Sequence, residues 1–481
     1  MENNVNQPNR YKSVSWQFLN YLCSFGMNFV IQIVLARLIA PEEFGALAIL
    51  NTIIFFADIF VQSGISTALV QKKELHPSDI FSAQIISGLT ACLFVCLLFG
   101  GAPFIAGAFK MESIRLPLQV MAITLIFNSI NSIFSSLLIR RMAYKKLFFR
   151  TVIVLPIAGF VGIFLAVLQY GLWALVAYQL TAAALNSFVY VVNCEDKIEF
   201  RFSRTGVKEM YSFGVKVLFT GIINSIYDTI KTLVIGGFYS KSDLAFYDRG
   251  QTYSKYTVQI AHSMISSVAL PILSQVQDSR ETVIASSRKI VGFSGFIMFP
   301  LLLGVAAVSR PFILVLLTDK WSSAIPYLII FCLIRMPGII TMVDKQMFFS
   351  IGRSDVILKY TFLSLVLNLI SLIIVIPYGV LAIAINTLVI ELIVSVIIAV
   401  MSSKIVGYTV KDKINDLWKP FCNSLAMFAV IMFVDHCLVI NNIALIVIEF
   451  VLGVSVYIGM ALLTKDENFD RVKSVLKKFR K

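Results

Sequence analysis

The chain contains fourteen apolar runs, at 14–40, 44–71, 80–105, 116–139, 151–169, 172–193, 211–239, 245–274, 290–309, 324–343, 360–378, 380–403, 421–438 and 440–463. No other feature restricts its fold so severely. A helix of about 20 apolar residues crosses the hydrocarbon core of a bilayer. Inside that core every backbone N–H and C=O must be satisfied by the protein itself, which leaves helices or a closed barrel. Runs of this length are helical, so the chain is predicted to be an all-α integral membrane protein with about fourteen transmembrane helices. With 58% hydrophobic and only 14% charged residues, it lacks the polar surface that soluble cores of this size need.

Lys and Arg test the assignment. With the N-terminus placed inside, thirty of the 41 basic residues fall in inside segments, five in outside segments and six within the runs. Basic residues accumulate in short cytoplasmic loops, so both termini are expected in the cytoplasm. The net charge of +14 then belongs to the loops, and no nucleic-acid partner is implied. The richest inside loop, "RRMAYKKLFFR" (Arg140 to Arg150), reads as a topology signal in contact with anionic headgroups. In the tail 465–481, Phe469, Val472, Leu476 and Phe479 share one helical face opposite Lys residues, the pattern of a basic amphipathic helix on the inner leaflet. The first run is too long for a signal-peptide core and is expected to remain as a span. The seven Cys stand at no metal-ligand spacing. No metal or cofactor is expected, and no connection is long enough for a soluble catalytic domain, so the chain does not read as an enzyme.

Residue n laid over residue n+200 places the first two runs on the seventh and eighth. "LARLIAPEEFGAL" then lies over "IGGFYSKSDLAFY", and "SGISTA" over "SMISSV". The polar residues repeat with them. The first run carries Asn20, Ser24 and Asn28, the seventh Lys216, Thr220, Asn224 and Asp228, each set one stripe at helical spacing. The second adds Asn51, Asp58, Gln62 and Ser66, the eighth Asp248, Thr252, Lys255, Gln259, His262 and Ser266. Both halves run in the same direction, so the repeat is parallel, about an axis along the membrane normal. The predicted organisation is an N-terminal lobe of six helices (1–205), a second lobe of six (206–405), two extra helices (406–464) and the tail (465–481), with a cavity between the striped helices.

Six basic residues lie within runs: Arg37, Lys216, Lys231, Arg249, Lys255 and Arg335. Intramembrane charges face a water-filled cavity or pair with one another. Asp228 and Lys231, three residues apart, either neutralise each other or face a lumen. The surplus of cations in the seventh and eighth runs suits an anionic substrate, and all six are candidate substrate contacts. Arg335 stands beside Pro337-Gly338, where the helix is expected to break. The intramembrane acids Asp58, Asp228, Asp248, Glu391 and Glu449 are candidates for ion coupling. His262 reads as a titrating or a packing residue.

The stretches "LARLIAPEEFGALAIL", "SGISTALVQKKEL" and "LLIRRMAYKKLFFR" resemble the polysaccharide transporter family, in particular its Wzx-like, colanic-acid-exporter-type lipopolysaccharide biosynthesis proteins. These belong to the multidrug/oligosaccharidyl-lipid/polysaccharide exporter superfamily. The resemblance implies a flippase in the bacterial cytoplasmic (inner) membrane. It implies movement of a polyprenyl-pyrophosphate-linked oligosaccharide from the cytoplasmic to the outer leaflet by alternating access of two lobes. Directional transport calls for a coupled cation, H+ or Na+, which the intramembrane acids are placed to take, and polysaccharide polymerase machinery is a candidate partner. Family members line the lumen with cationic and acidic residues, for which the positions named above are the candidates here.

Three other readings compete. A cation-coupled multidrug antiporter of the same superfamily favours an acidic cavity, whereas the seventh and eighth runs carry more bases than acids. A peptidoglycan lipid-precursor flippase would use the same architecture. A membrane glycosyltransferase, polymerase or ligase needs a large loop with a catalytic acid or nucleophile, which this chain lacks.

Overall fold

The computed structural model describes residues 10–473 apart from 63, 73, 195–198, 439 and 472. The expected amphipathic tail therefore falls largely outside the described residues, Val472, Leu476 and Phe479 included, and so does the side chain of Asn224. The helices are α1 (Arg10–Leu38), α2 (Pro41–Gln62), α3 (Ile65–Gln71), α4 (Pro77–Ala108), α5 (Arg115–Ala122), α6 (Thr124–Arg140), α7 (Tyr144–Val167), α8 (Leu172–Val192) and α9 (Arg204–Phe238). They continue as α10 (Lys241–Gln275), α11 (Arg280–Ala307), α12 (Ser309–Leu317), α13 (Ile325–Arg335), α14 (Gly338–Ser350), α15 (Ser354–Val375), α16 (Val380–Ile405), α17 (Val410–Cys437) and α18 (Asn442–Leu463). Among the described residues, twelve spans are long and apolar enough to cross a membrane. Two bent helices, α9 by 41° and α10 by 47°, bring the total to fourteen.

Local chemistry explains where the helices begin and break. Ser203 Oγ accepts from Gly206 N at 3.1 Å at the start of α9. Thr409 and Asp412 form a reciprocal capping box on α17. The predicted run 44–71 is divided into α2 and α3 at Gly64, whose φ of +65° favours glycine. A side chain there would also come within 2.5–2.9 Å of Gly214 and Val217 on α9. The run 324–343 divides at Pro337, as the missing N–H requires.

The chain forms two compact units, Met1–Ala245 and Phe246–Lys481. In the first, α1 packs on α7, α7 on α8 and α6 on α4 and α8. Helix α9 packs on α2, α3 and α4 and so belongs to this unit, although the repeat pairs it with α1. Ile65, Leu69, Ile80, Ile133 and Leu137 form part of its core. Lys72 bridges Asp79 at 2.7 Å and Glu209 at 3.2 Å. Burial opposes the charge on Lys72, but these two carboxylates outweigh it and hold the ammonium above the ordinary lysine value. Arg140 donates to the carbonyls of Leu69, Val70 and Lys72, satisfying the open end of α3.

In the second unit α11 packs on α13, α14 and α17, α17 on α18, and α16 on α13, α14 and α15. Gly250 allows α10 to approach α13, since a Cβ there would lie 2.6–2.8 Å from Tyr327 and Leu328. Leu273, Met347, Phe348, Val394 and Ile398 form part of the core. Large apolar side chains such as Phe104, Phe160 and Phe450 point outward in both units. Hydrocarbon is their solvent, so that exposure carries no penalty.

Candidate functional site

Within the first unit, α2, α3, α6, α7 and α8 surround a polar cavity of about 480 Å³. Helix α6 supplies one wall. Asn128, Asn131, Ser132, Ser135 and Ser136 recur at three- and four-residue intervals and so share a face. From Asn128 to Ile139 that wall is roughly 16 Å long at 1.5 Å per residue. Asp58 and Gln62 of α2, Ser66 and Thr67 of α3, Arg150 of α7, and Asn186 and Tyr190 of α8 complete the lining.

Most of these groups are oriented by hydrogen bonds. Gln62 Nε2 donates to Asp58 Oδ2 at 2.7 Å, and Asp58 Oδ1 is buried without a donor. Asn131 Nδ2 donates to the Ala183 carbonyl at 3.2 Å, and its Oδ1 accepts from Ser187 Oγ at 3.0 Å. Arg150 donates through Nη1 to Tyr190 OH and through Nη2 to Thr151 Oγ1 at 3.0 Å. Its guanidinium lies 5.1 Å from the Tyr190 ring centroid, and its Nε is buried without an acceptor. Thr151 Oγ1 in turn donates to Asn20 Oδ1 at 2.8 Å. The result is a wall of neutral amides and hydroxyls with one carboxylate and one guanidinium. Such a surface offers donors and acceptors to a polyhydroxylated molecule while carrying little net charge.

The residues singled out in the sequence separate into several settings. Of these, Asp58, Gln62 and Ser66, all from the stripe of the second run, line this cavity, and Asp58 is the one charged candidate among them. Lys231 is 2% exposed and pairs with Asp228 at 2.8 Å, its Nζ 4.8 Å from the Tyr227 ring centroid. Arg249 is buried and pairs with its neighbour Asp248 at 2.9 Å. Arg335 donates to Ser254 Oγ at 3.1 Å and to the Gln251 carbonyl at 3.4 Å, which ties α13 to α10. His262 stands in the field of Arg335 and Lys345, and Lys345 in that of Glu391. Arg37, Lys216 and Lys255 are exposed. Glu449 is fully buried, with neither carboxyl oxygen hydrogen-bonded. The stripe on α1 meets its own unit: Asn28 Oδ1 accepts from Tyr178 OH at 2.7 Å.

Two contributors escaped sequence reasoning. Arg150 counted as a loop charge, yet it lies inside α7 and lines the cavity. The α6 wall was visible as "FNSINSIFSS", a polar stripe in an apolar run with the same spacing as those noted on neighbouring spans.

Comparison with known proteins gives the family. The family described as "Polysaccharide biosynthesis protein" matches residues 34–326, more than half of the chain. The succinoglycan biosynthesis transport protein ExoT of Rhizobium meliloti (strain 1021) is 27% identical over 348 residues, covering 70% of this chain and 68% of ExoT. Among solved structures, the lipid II flippase MurJ in an inward closed conformation superposes with a TM-score of 0.75 at 16% identity, covering 94% of this chain and 99% of MurJ. An inward-facing multidrug resistance MATE transporter of the MOP superfamily superposes with a TM-score of 0.61 at 12% identity, covering 81% and 94%. The two-lobe helical fold is therefore that of the MurJ and MATE transporters. The chain belongs to the polysaccharide biosynthesis protein family, as a multi-pass membrane protein.

Proposed function

We propose that the protein is a flippase for polyprenyl-pyrophosphate-linked oligosaccharide repeat units in the assembly of a surface polysaccharide. The observation that carries this reading is the polar cavity of the first unit. Its amide and hydroxyl lining sits among apolar spans, and Asp58 Oδ1, Ser66 Oγ and Arg150 Nε within it are buried without a hydrogen-bond partner among the described residues, as expected where intramembrane polar groups mark a substrate path. A glycan headgroup cannot enter hydrocarbon unaided, whereas a polyprenyl tail can remain in lipid throughout. Substrate would load from the cytoplasmic leaflet of the inner membrane, with both termini cytoplasmic, and leave at the outer leaflet by alternating access of the two lobes. The cationic side chains of α9, α10 and α13 remain candidates for the pyrophosphate. Asp58, Asp228, Asp248 and Glu391 remain candidates for a coupling cation, H+ or Na+. A polymerase is the expected consumer of the delivered repeat unit.

The test is reconstituted flipping of a defined lipid-linked oligosaccharide. Replacing Asn131, Ser135 and Asn186 together by Leu, Ala and Leu removes about three hydrogen-bonding positions. At about 0.5–1.5 kcal/mol each, the flipping rate at subsaturating substrate should drop about tenfold or more. Wild-type flipping that is unaltered in this variant would remove the cavity from the pathway. Efflux of lipophilic cations without any glycan flipping would favour the antiporter reading.

A further inference from the structure

In the second unit, α11, α17 and the segment after α18 enclose a cleft of about 360 Å³. Arg288, Lys289, Lys419 and Arg471 line it, opposed by Asp416, Asp466 and Glu467. The arginines are committed to protein partners. Arg288 donates three bonds of 2.8–3.2 Å to the Asp416 carboxylate. Arg471 bonds Asn468 Oδ1 at 3.0 Å and Glu467 Oε2 at 3.2 Å. Lys289 and Lys419 make no ion pair with a carboxylate among the described residues, although Lys419 Nζ donates to the Lys465 carbonyl at 3.3 Å. Asp466 is 3% exposed. Its Oδ1 accepts from Asn468 N and Nδ2 at 3.0 and 2.9 Å, while Oδ2 is buried without a donor. A buried carboxylate oxygen without a donor is a costly arrangement unless something supplies one.

The same helices continue into a slot of about 640 Å³, apolar except for the carboxyl of Glu449 in its wall. Helix α11 contributes residues 285–292 to the cleft and Phe293 to Val305 to the slot. Helix α17 likewise passes from Lys419 in the cleft to Met427 and Ile431 in the slot. Leu301, Phe450, Val454 and Ile458 line the slot and are 41–69% exposed, so it opens to the bilayer. From Phe293 to Val305 the slot is roughly 18 Å long, close to the roughly 15 Å half-thickness of the hydrocarbon core. Along α11 and α17 a charged cup at the ends of the spans is thus followed by a largely apolar slot about one leaflet deep.

We propose that this crevice binds one membrane phospholipid whose headgroup carries both a phosphate and a primary ammonium. The acyl chains occupy the slot, Lys289 and Lys419 hold the phosphate, and the ammonium donates to Asp466 Oδ2. The mixed charge of the cup suits a zwitterion better than an anionic headgroup, and the slot excludes a free soluble anion. The site is separate from the polar cavity of the first unit and does not depend on the function proposed for it.

The test uses the full-length protein, purified and equilibrated with equimolar phosphatidylethanolamine, phosphatidylcholine and phosphatidylglycerol of matched chains, with bound lipid identified by native mass spectrometry. Phosphatidylethanolamine is expected to be retained about tenfold over the other two, the worth of one charge-assisted hydrogen bond. Phosphatidylcholine is the informative competitor, because its quaternary ammonium cannot donate. Asp466→Asn should abolish the preference while phosphate-dependent retention persists. Lys289→Gln with Lys419→Gln should weaken all three lipids, and Val454→Trp should block the slot. Equal retention of the three lipids by the wild type, no retention, or complete displacement by a polyprenyl phosphate would each overturn the proposal. The wild-type measurement stands even if a variant fails to fold.

Discussion

Lys413 and Asp344 are both fully buried and joined Nζ to Oδ2, with Ser402 Oγ sharing the ammonium. The pair fastens α17 to α14 and α16. Asp344 Oδ1 has no donor, and Lys413 Nζ lies 4.8 Å from the Tyr408 ring centroid. Lys413→Met keeps most of the side-chain volume and removes the charge, so the carboxylate is left buried without its counter-ion. Breaking one side of such a pair costs about 3–5 kcal/mol. At about 2–4 °C per kcal/mol for a unit of this size, the melting temperature should fall by roughly 6–20 °C. Adding Asp344→Leu removes the stranded charge, and the double variant is expected to return to the parent value or exceed it. The assay is thermal unfolding of detergent-purified protein followed by tryptophan fluorescence. A Lys413→Met variant melting within about 2 °C of the parent would refute the reasoning, because that is less than 1 kcal/mol on the same scale. A double variant as unstable as the single one would refute it equally.

The Asp228–Lys231 contact makes a related prediction with a smaller magnitude, because Asp228 is 62% exposed and solvent discounts the pair. Asp228→Asn should destabilise by about 1 kcal/mol, and adding Lys231→Gln should recover it. If glycan flipping remains defective in that stable double variant, the charges contact substrate or coupling ion; if it returns, they serve the fold. Glu449 has no hydrogen-bond partner for either oxygen, so Glu449→Leu should raise the melting temperature by a few degrees, about 1–3 kcal/mol. A lower melting temperature would reveal a partner for that carboxyl. Single cysteines at positions 141 and 353, in a cysteine-free background, should be labelled only from the cytoplasm, and one at 242 only from outside. The opposite pattern would overturn the proposed orientation.

The helices were legible in the sequence because the bilayer imposes a local criterion. Whether a segment such as Val380–Ile405 crosses the membrane depends on its own composition, and no distant contact is needed to decide it. Breaks were legible only where a residue's backbone chemistry imposes them. Pro337 was read correctly, whereas the division at Gly64 was not, because its left-handed backbone and its contact with α9 are set by packing.

The site was far less legible, for a rotational reason. Periodicity tells which residues of a helix share a face but not what that face meets. The stripe Asn20, Ser24 and Asn28 looked like a cavity wall, yet Asn20 and Asn28 bond Thr151 and Tyr178 on adjacent helices. For Lys231 spacing allowed either pairing with Asp228 or a lumen position, and Arg249 was a candidate substrate contact; both are buried against neighbouring carboxylates. The stripe on α6 has the same spacing, and it forms one wall of the polar cavity, as Asp58, Gln62 and Ser66 of the second run form another. Arg150 was assigned to a loop because charge density marks topology, and only the packing of α7 against α8 brings its guanidinium onto Tyr190. Local composition by itself determined that this chain crosses the membrane about fourteen times. Tertiary structure alone decided which polar stripe lines a cavity and which is used up between helices, because helix rotation is set by side-chain packing that lies far apart in sequence.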